Sequence, residues 1–189
     1  MKLLTSAVLA VLIGCSSVAA NEFQNELTAL ATGKIAEIAG SSEVVSAVKA
    51  QNEQTAGYDQ AKIDELDKQW RAEADAADQP MIDKVLENDL SAYLADAQGG
   101  SDGLFTEIFV MDAKGLNVGQ SDVTSDYWQG DEAKWKETFL KGKGAVHVGD
   151  LEQDESTQQL QSQVSVSVTD PATGETIGAV TFGVNVDKL

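Results

Sequence analysis

The segment DVTSDYWQGDEAKW, residues 122–135, holds the side chains with the clearest binding chemistry: two of the three tryptophans, one of the three tyrosines and four carboxylates. Aromatic faces beside carboxylates suit an amine or another cation, which gains from both the charge and the ring quadrupole. Tyr127 and Trp128 precede a predicted helix in a polar loop, where binding residues concentrate, so we expect them to form a lid over a ligand. The alternative is that Trp128 only packs the helix entry, while Trp135 and Phe139, four residues apart, fix the helix to a core.

Few residues in the chain could carry out catalysis. The sequence has one histidine, His147, and one cysteine, Cys15, and it contains neither a nucleophile elbow nor a phosphate-binding loop. These counts exclude a metal site built from several histidines or cysteines. The acids of residues 122–132 do not follow the spacing of an EF-hand loop. We therefore expect a protein that is not an enzyme and that holds no metal and no cofactor.

The composition limits the class of partner. The 189 residues are 42% apolar, which is ordinary for a globular domain, and they carry a formal net charge of −18. Nucleic-acid binding would need a basic surface, so we exclude it. The same negative charge disfavours docking on anionic lipid headgroups and favours solubility.

Residues 1–20 have the features of a signal peptide rather than of a folded segment. A lysine at position 2 precedes an apolar run over 3–13, which is too short to span a bilayer. Cleavage after Ala20 would release a soluble protein. Cleavage before Cys15 would follow a lipobox and leave a lipidated cysteine as the only membrane anchor. On either route we expect an exported protein, periplasmic and soluble or lipid-anchored.

The pattern of apolar residues divides the chain into a helical half, 21–98, and a sheet half, 104–189. Apolar spacings of three and four predict helices over 21–51, interrupted near Gly40, over 59–77, and from Pro80 to about residue 98. The second half contains the predicted strands 104–111, 116–120, 145–148, 163–170 and 177–186, and a predicted helix over 131–141. This order indicates an α+β fold with an antiparallel sheet of about five strands.

Strict alternation in the strand 163–170 separates two faces of that sheet. Its valines point one way, and Gln163 and Ser165 point the other, together with Thr181 of the last strand. The N-terminal helices can cover only one face. If the helix-bearing segment after the second strand covers the polar face, a small pocket forms with hydrogen-bonding walls and an aromatic lid. The alternative is a solvated face.

Three stretches carry a resemblance to a known family. They are FTEIFVMDAKGLNVGQSDVTSDYWQGDEAKW (105–135), DEST (154–157), and QVSVSVTD with IGAVTFGV (163–184). Over 21–189, as one domain, the chain resembles Cache domains, the extracytoplasmic PAS-like sensor modules of bacterial receptors, and in particular the secreted single-domain PDC sensors. The resemblance implies long N-terminal helices packed on a PAS-like sheet.

The resemblance also implies ligand binding without chemistry, with a small molecule held between the sheet and the segment after the second strand. The residues then expected at the ligand are Asp126, Tyr127, Trp128, Asp131, Trp135, Asp154, Gln163, Ser165 and Thr181. Asp154 would close on an amine. Receptors place such a domain between transmembrane helices that feed an output domain, and this sequence shows neither. We therefore expect signalling through a separate membrane sensor or envelope protein; the alternative is a non-catalytic envelope interaction protein or lipoprotein with a vestigial pocket.

Overall fold

Five strands form one antiparallel sheet in the order β2-β1-β5-β4-β3 in this computed structural model, which describes residues 21–153 and 159–189. The strands are β1 (Phe105–Met111), β2 (Asn117–Gln120), β3 (Val146–Gln153), β4 (Leu160–Thr169) and β5 (Thr176–Asn185). Together with the helices that precede them, they confirm the predicted α+β class. Residues 1–20, with Cys15, and Asp154 lie outside the described residues, so the predictions made for them stay predictions.

The helices of the N-terminal half pack on one face of the sheet. Its helices are α1 (Gln24–Leu30), α2 (Ala36–Ala39), α3 (Ser42–Thr55), α4 (Gln60–Ala74), α5 (Pro80–Leu86) and α6 (Asp89–Gly99). A π-helical turn, Ala31–Ile35, joins α1 to α2, and Gly33 within it leaves helical geometry (φ −104, ψ −105). The chain therefore kinks at Gly33 between two helical segments, as helices do where glycine interrupts their regular geometry.

One predicted helix is two helices in the structure. The segment that begins at Pro80 stops at Leu86, and α6 starts anew behind Asn88, whose side chain accepts a hydrogen bond from Ser91 N at 2.8 Å. Asparagine is among the best N-cap residues, because its side-chain oxygen binds a free backbone N–H of the first turn. The apolar spacing continues through the break, which is why periodicity alone does not show it.

The main core lies between the helices and one face of the sheet. Val164, Val166 and Val168 of β4 pack there with Val180 and Phe182 of β5, against apolar side chains of α1, α3 and α6. All five residues are buried. The predicted alternation of faces is thus confirmed, and the polar positions of these strands face away from the helices.

The opposite face is covered by the segment between β2 and β3, residues 121–145, which we call the excursion. The predicted helix 131–141 is confined there to α7 (Ala133–Lys136) and a 3₁₀ turn, Phe139–Lys141. Thr138 separates the two pieces, and its hydroxyl donates to Lys134 O of the preceding turn. This side-chain bond competes with regular helical geometry, and Gly142 at φ 93 ends the segment. The strand predicted at 145–148 continues further, to Gln153.

Among the described helices, none combines the length and apolar character needed to cross a bilayer.

Candidate functional site

The candidate site is the sheet face beneath the excursion, which we call the excursion face. Its central row is set by strand register: Phe109 of β1 lies opposite Thr181 of β5, Thr181 opposite Ser165 of β4, and Ser165 opposite His147 of β3. Opposed residues on neighbouring strands project to the same side of a sheet. The row therefore runs from an aromatic ring through two hydroxyls to an imidazole.

An aromatic pair from the excursion packs on one end of this face. The rings of Trp135 and Phe139 stack with centroids 4.9 Å apart, and both contact the cluster formed by Phe109, Met111 and Ala179. The Trp135 indole also donates to Asp112 O at 3.0 Å. Trp135 therefore both fixes the excursion to the sheet and forms a wall of the candidate site.

The predicted polar strand residues lie together on the excursion face. Ser165 and Thr181 are fully buried, and their hydroxyl oxygens are 2.9 Å apart in a hydrogen bond. Gln163 Nε2 donates to Glu107 Oε1 at 2.9 Å, above the bare backbone of Gly183. The structure thus brings Trp135, Gln163, Ser165 and Thr181 to one face; their binding role stays a prediction.

Two carboxamides at the β2 end of this face were not predicted from the sequence. Asn117 and Gln120 lie opposite Met111 and Phe109 of β1, and their side chains are buried. Asn117 Nδ2 donates to Gln120 Oε1 (3.1 Å), Thr124 Oγ1 (2.8 Å) and Asp126 O (3.0 Å). The signal in the sequence was two amides three residues apart in a strand of four, NVGQ.

The hydrogen bonds fix the orientation of both amides and leave two atoms unpaired. Asp126 O can only accept, so the NH₂ group of Asn117 must face it, and Gln120 must then turn its oxygen toward Asn117. Among the described residues, Asn117 Oδ1 and Gln120 Nε2 are buried without a partner. Each such atom costs about 1–3 kcal/mol of desolvation. One acceptor and one donor at the β2 end of the face are therefore left without a partner among the described residues.

Lys134 brings a positive charge to the same face. Its ammonium lies 5.3 Å from the centre of the Phe109 ring and 2.9 Å from a Glu132 carboxylate oxygen, and only 14% of its side chain is exposed. Burial lowers the pKa of His147, and Lys134 lowers it further, while Glu137 and Asp150 act in the opposite direction. A neutral imidazole and a shielded cation thus border the face.

Tyr127 and Trp128, the predicted lid, lie beside the sheet rather than above the excursion face. Leu116 and Trp128 form an antiparallel bridge, which lays the chain along the outer edge of β2. Tyr127 points toward the helical half and stacks on Trp70, with ring centroids 5.4 Å apart. The Trp128 indole donates to Lys114 O at 2.9 Å. Their role in ligand binding stays a prediction, and these contacts are those of the packing alternative.

A carboxylate of α4 accounts for this position. Asp67 Oδ1 accepts from the backbone N–H groups of both Tyr127 and Trp128, each at 3.0 Å, and Asp67 Oδ2 accepts from Arg71 Nε at 2.9 Å. Arg71 also forms an ion pair with Asp126 at 2.7 Å. Burial raises the pKa of Asp126, and Arg71 offsets part of that effect. We call Asp67, Arg71 and Asp126 the α4 tether.

The carboxylates of two predicted acids, Asp126 and Asp131, lie apart from the excursion face. Asp126 turns to Arg71, and Asp131 is exposed, with its backbone carbonyl accepting from the Lys136 ammonium. The described residues contain no group of three or more histidine, cysteine, aspartate or glutamate side chains arranged to hold a metal ion.

No protein-family model matches the sequence, and no curated protein matches it. Solved structures of distant likeness exist. The sensor domain of the V. cholerae histidine kinase DctB is 13% identical with a TM-score of 0.45, over 88% of this chain and 56% of that chain. The sensory domain of the Campylobacter jejuni chemoreceptor Tlp3 with isoleucine bound is 14% identical with a TM-score of 0.41, over 85% and 63%. The ligand-binding domain of the Pseudomonas aeruginosa PAO1 amino acid chemoreceptor PctC in complex with GABA is 14% identical with a TM-score of 0.38, over 88% and 66%.

The chain spans about half to two thirds of the length of these structures. Helices cover one face of a five-stranded antiparallel sheet in the order β2-β1-β5-β4-β3, and an excursion between β2 and β3 covers the other, as the sequence resemblance implied.

Proposed function

We propose that the chain is an extracytoplasmic small-molecule sensing module without catalytic activity, and that it acts through a separate membrane or envelope partner. Its ligand would be a small polar metabolite bearing an amine, held between the excursion and the sheet. The observation that carries the proposal is the pair of buried, unpaired amide atoms, Asn117 Oδ1 and Gln120 Nε2, on the face beneath the excursion.

The charges around these atoms refine the ligand chemistry. An amine would donate to Asn117 Oδ1, and an oxygen of the same molecule would accept from Gln120 Nε2. Lys134 lies over the neighbouring Phe109 and favours an anionic oxygen there. A molecule that carries both an amine and a carboxylate therefore satisfies all three groups, whereas a simple amine would leave the lysine facing a like charge.

One observation favours the alternative, an interaction protein with a vestigial pocket. Ser165 and Thr181 bond to each other, and Trp135 and Phe139 pack directly onto Phe109 and its neighbours. The end of the face toward Ala179 is thus satisfied by the chain itself. A ligand would have to occupy the other end, near β2.

The first test is thermal unfolding of the purified protein against a panel of amino acids, amines and carboxylates. A ligand at 100 times its dissociation constant stabilises the folded state by about 2.7 kcal/mol. We expect an increase in unfolding temperature with compounds that bear both groups. An unchanged unfolding temperature across the whole panel would move the conclusion to the interaction-protein alternative, and the next experiment would be affinity capture from envelope extracts.

The variant Gln120→Leu makes this test specific to the face. It removes the unpaired donor and keeps the side chain's size, but it also removes the oxygen that accepts from Asn117 and Thr124, both of which keep Asp126 O as an acceptor. We therefore expect a loss of about 1–2 kcal/mol in the free energy of unfolding, with the ligand-induced shift abolished. Gln24→Leu, on the exposed side of α1, is the matched control and should keep the shift. A shift that survives in Gln120→Leu would show that the ligand binds elsewhere.

A further inference from the structure

A second cleft lies on the helical side of the sheet, away from the excursion face. It has a volume of about 670 Å³ and opens between α3, α4, α5 and the start of α6. Its apolar walls come from these helices and from β2: Ala47, Leu66, Met81, Val85, Leu90 and Val118. Uncharged polar side chains line it as well: Gln51, Gln54, Thr55, Tyr58, Gln69 and Asn88. A cleft of this size with apolar and polar walls is in the range of small-molecule sites.

Tyr127 contributes a polar group to this cleft. The residue is 8% exposed, stacks on Trp70 and lines the cleft. Its hydroxyl has no hydrogen-bond partner within residues 21–153 and 159–189. The hydroxyl oxygen is not fully buried, so part of its surface remains accessible to solvent. Its remaining contact with solvent is therefore through the cleft. Burial, with the nearby Asp112 and Tyr58, raises the pKa of Tyr127, so the hydroxyl stays protonated and can donate.

The charges that face this cleft do not select an ion. Lys84 and Asp89 are exposed lining residues of opposite sign. The nearby carboxylate of Asp112 is buried and already accepts hydrogen bonds, from Thr55, Gln51, Lys114 N and Leu116 N. An ionic ligand would lose hydration among the apolar walls, and the exposed Lys84 and Asp89 would offset little of that loss, because solvent screens their charges.

We infer that this cleft is a second binding site, specific for an uncharged organic molecule with an apolar body and one oxygen that accepts a hydrogen bond from the Tyr127 hydroxyl. The site is independent of the proposed ligand on the excursion face, because the two lie on opposite sides of the sheet.

The test uses two probes of similar shape, acetophenone and ethylbenzene, which differ in the carbonyl oxygen. The readout is the set of three indole N–H signals of the ¹⁵N-labelled protein, assigned by tryptophan-to-phenylalanine variants. Trp70 stacks on Tyr127 and reports on the cleft. Because its indole N–H also donates to Thr124 O beside Asn117, a shift is assigned to the cleft only where it depends on the Tyr127 hydroxyl. We expect acetophenone to shift the Trp70 signal, to leave the Trp135 signal in place, and to bind more tightly than ethylbenzene.

Tyr127→Phe removes only the hydroxyl. One hydrogen bond corresponds to as much as about a tenfold change in affinity, so we expect acetophenone to bind up to about tenfold more weakly to this variant, with ethylbenzene unaffected. Tyr93→Phe, which removes the same atom from a tyrosine of the main core outside the cleft, is the matched control and should bind like the unmodified protein.

Three results would overturn the inference: no shift of the Trp70 signal with acetophenone, equal affinity for the two probes, or unchanged acetophenone binding in Tyr127→Phe. None of these outcomes bears on the excursion face, since a ligand there is tested by its dependence on Gln120 rather than on Tyr127. The two proposals can therefore fail separately.

Discussion

His147 shows how one titratable side chain responds to its position at the border of the excursion face. It lies opposite Ser165 in the β3–β4 register, half-buried, and it is the chain's only histidine. Burial and Lys134 lower its pKa against the opposing effects of Glu137 and Asp150. The folded state therefore binds a proton at this site less readily than the unfolded chain does.

The consequence is a stability that depends on pH in the range where histidine titrates. The contribution of the neutral imidazole is fully present above the unfolded pKa of about 6.5 and is lost as the pH falls through the lower folded value. We expect the free energy of unfolding, measured by urea titration, to decrease between about pH 7.5 and 5.5. His147→Gln should give a flatter profile over that range. Parallel profiles for the two proteins would show that other groups cause the decrease.

The excursion illustrates how an element without extended secondary structure is held in place. Only α7 and one 3₁₀ turn are regular within it. Its first part is fixed by the α4 tether, and its later part by the Trp135–Phe139 stack on the sheet. In both attachments the residues that hold the excursion lie far from it in the sequence. The position of the excursion therefore depends on tertiary contacts rather than on local propensity.

Asp67→Ala tests the first attachment. The variant removes the acceptor of two backbone N–H groups, those of Tyr127 and Trp128, and the partner of Arg71. Hydrogen bonds to a charged group contribute about 1.5–3 kcal/mol each, so we expect the loss of these two to cost about 3 kcal/mol or more in urea unfolding. Asp64→Ala, one turn earlier on the exposed side of α4, should cost less than about 0.5 kcal/mol. If the two variants lose the same free energy of unfolding, the negative charge on α4, and not the tether, is the stabilising feature.

Helices and strands were predictable where the apolar residues follow a single helical or strand periodicity. Alternation in β4 correctly divided Val164 and Val166 from Ser165, because a strand with one face on a core must alternate. The break at Asn88 was missed, because capping overrides a continuous apolar stripe. The position of Tyr127 follows from no sequence period, since its backbone N–H donates to Asp67, sixty residues earlier.

The candidate site was predictable in part. Trp135, Gln163, Ser165 and Thr181 were assigned to one face from strand pattern and resemblance, and the structure brings them together there. Asn117 and Gln120 were not identified, because their significance lies in which atoms remain unpaired after folding. Only the complete set of hydrogen bonds around both amides reveals it.

At the scale of the whole molecule, the dominant property is the net charge of −18. Like charges spread over a small domain repel one another and oppose the compact state. Salt weakens that repulsion, because the Debye length falls from about 30 Å at 0.01 M to about 10 Å at 0.1 M.

We therefore expect the unfolding temperature, measured by circular dichroism, to rise with sodium chloride over this range and to level off at higher concentration. Surface ion pairs such as Lys62–Glu65 act in the opposite direction but contribute little individually. An unfolding temperature that falls with added salt would mean that ion pairs, and not net repulsion, dominate the electrostatic free energy.

The strand order limits when the sheet can form as the chain emerges. Strand β5 occupies the centre of the sheet, between β1 and β4, although it follows both in the chain. Among the described strands, the β1–β2 hairpin and the β3–β4 pair are not hydrogen-bonded to each other, and both pair with β5. A chain that emerges N-terminus first and has not yet delivered residues 176–185 thus holds two separate pairs of strands, and the five-stranded sheet forms only once β5 is available.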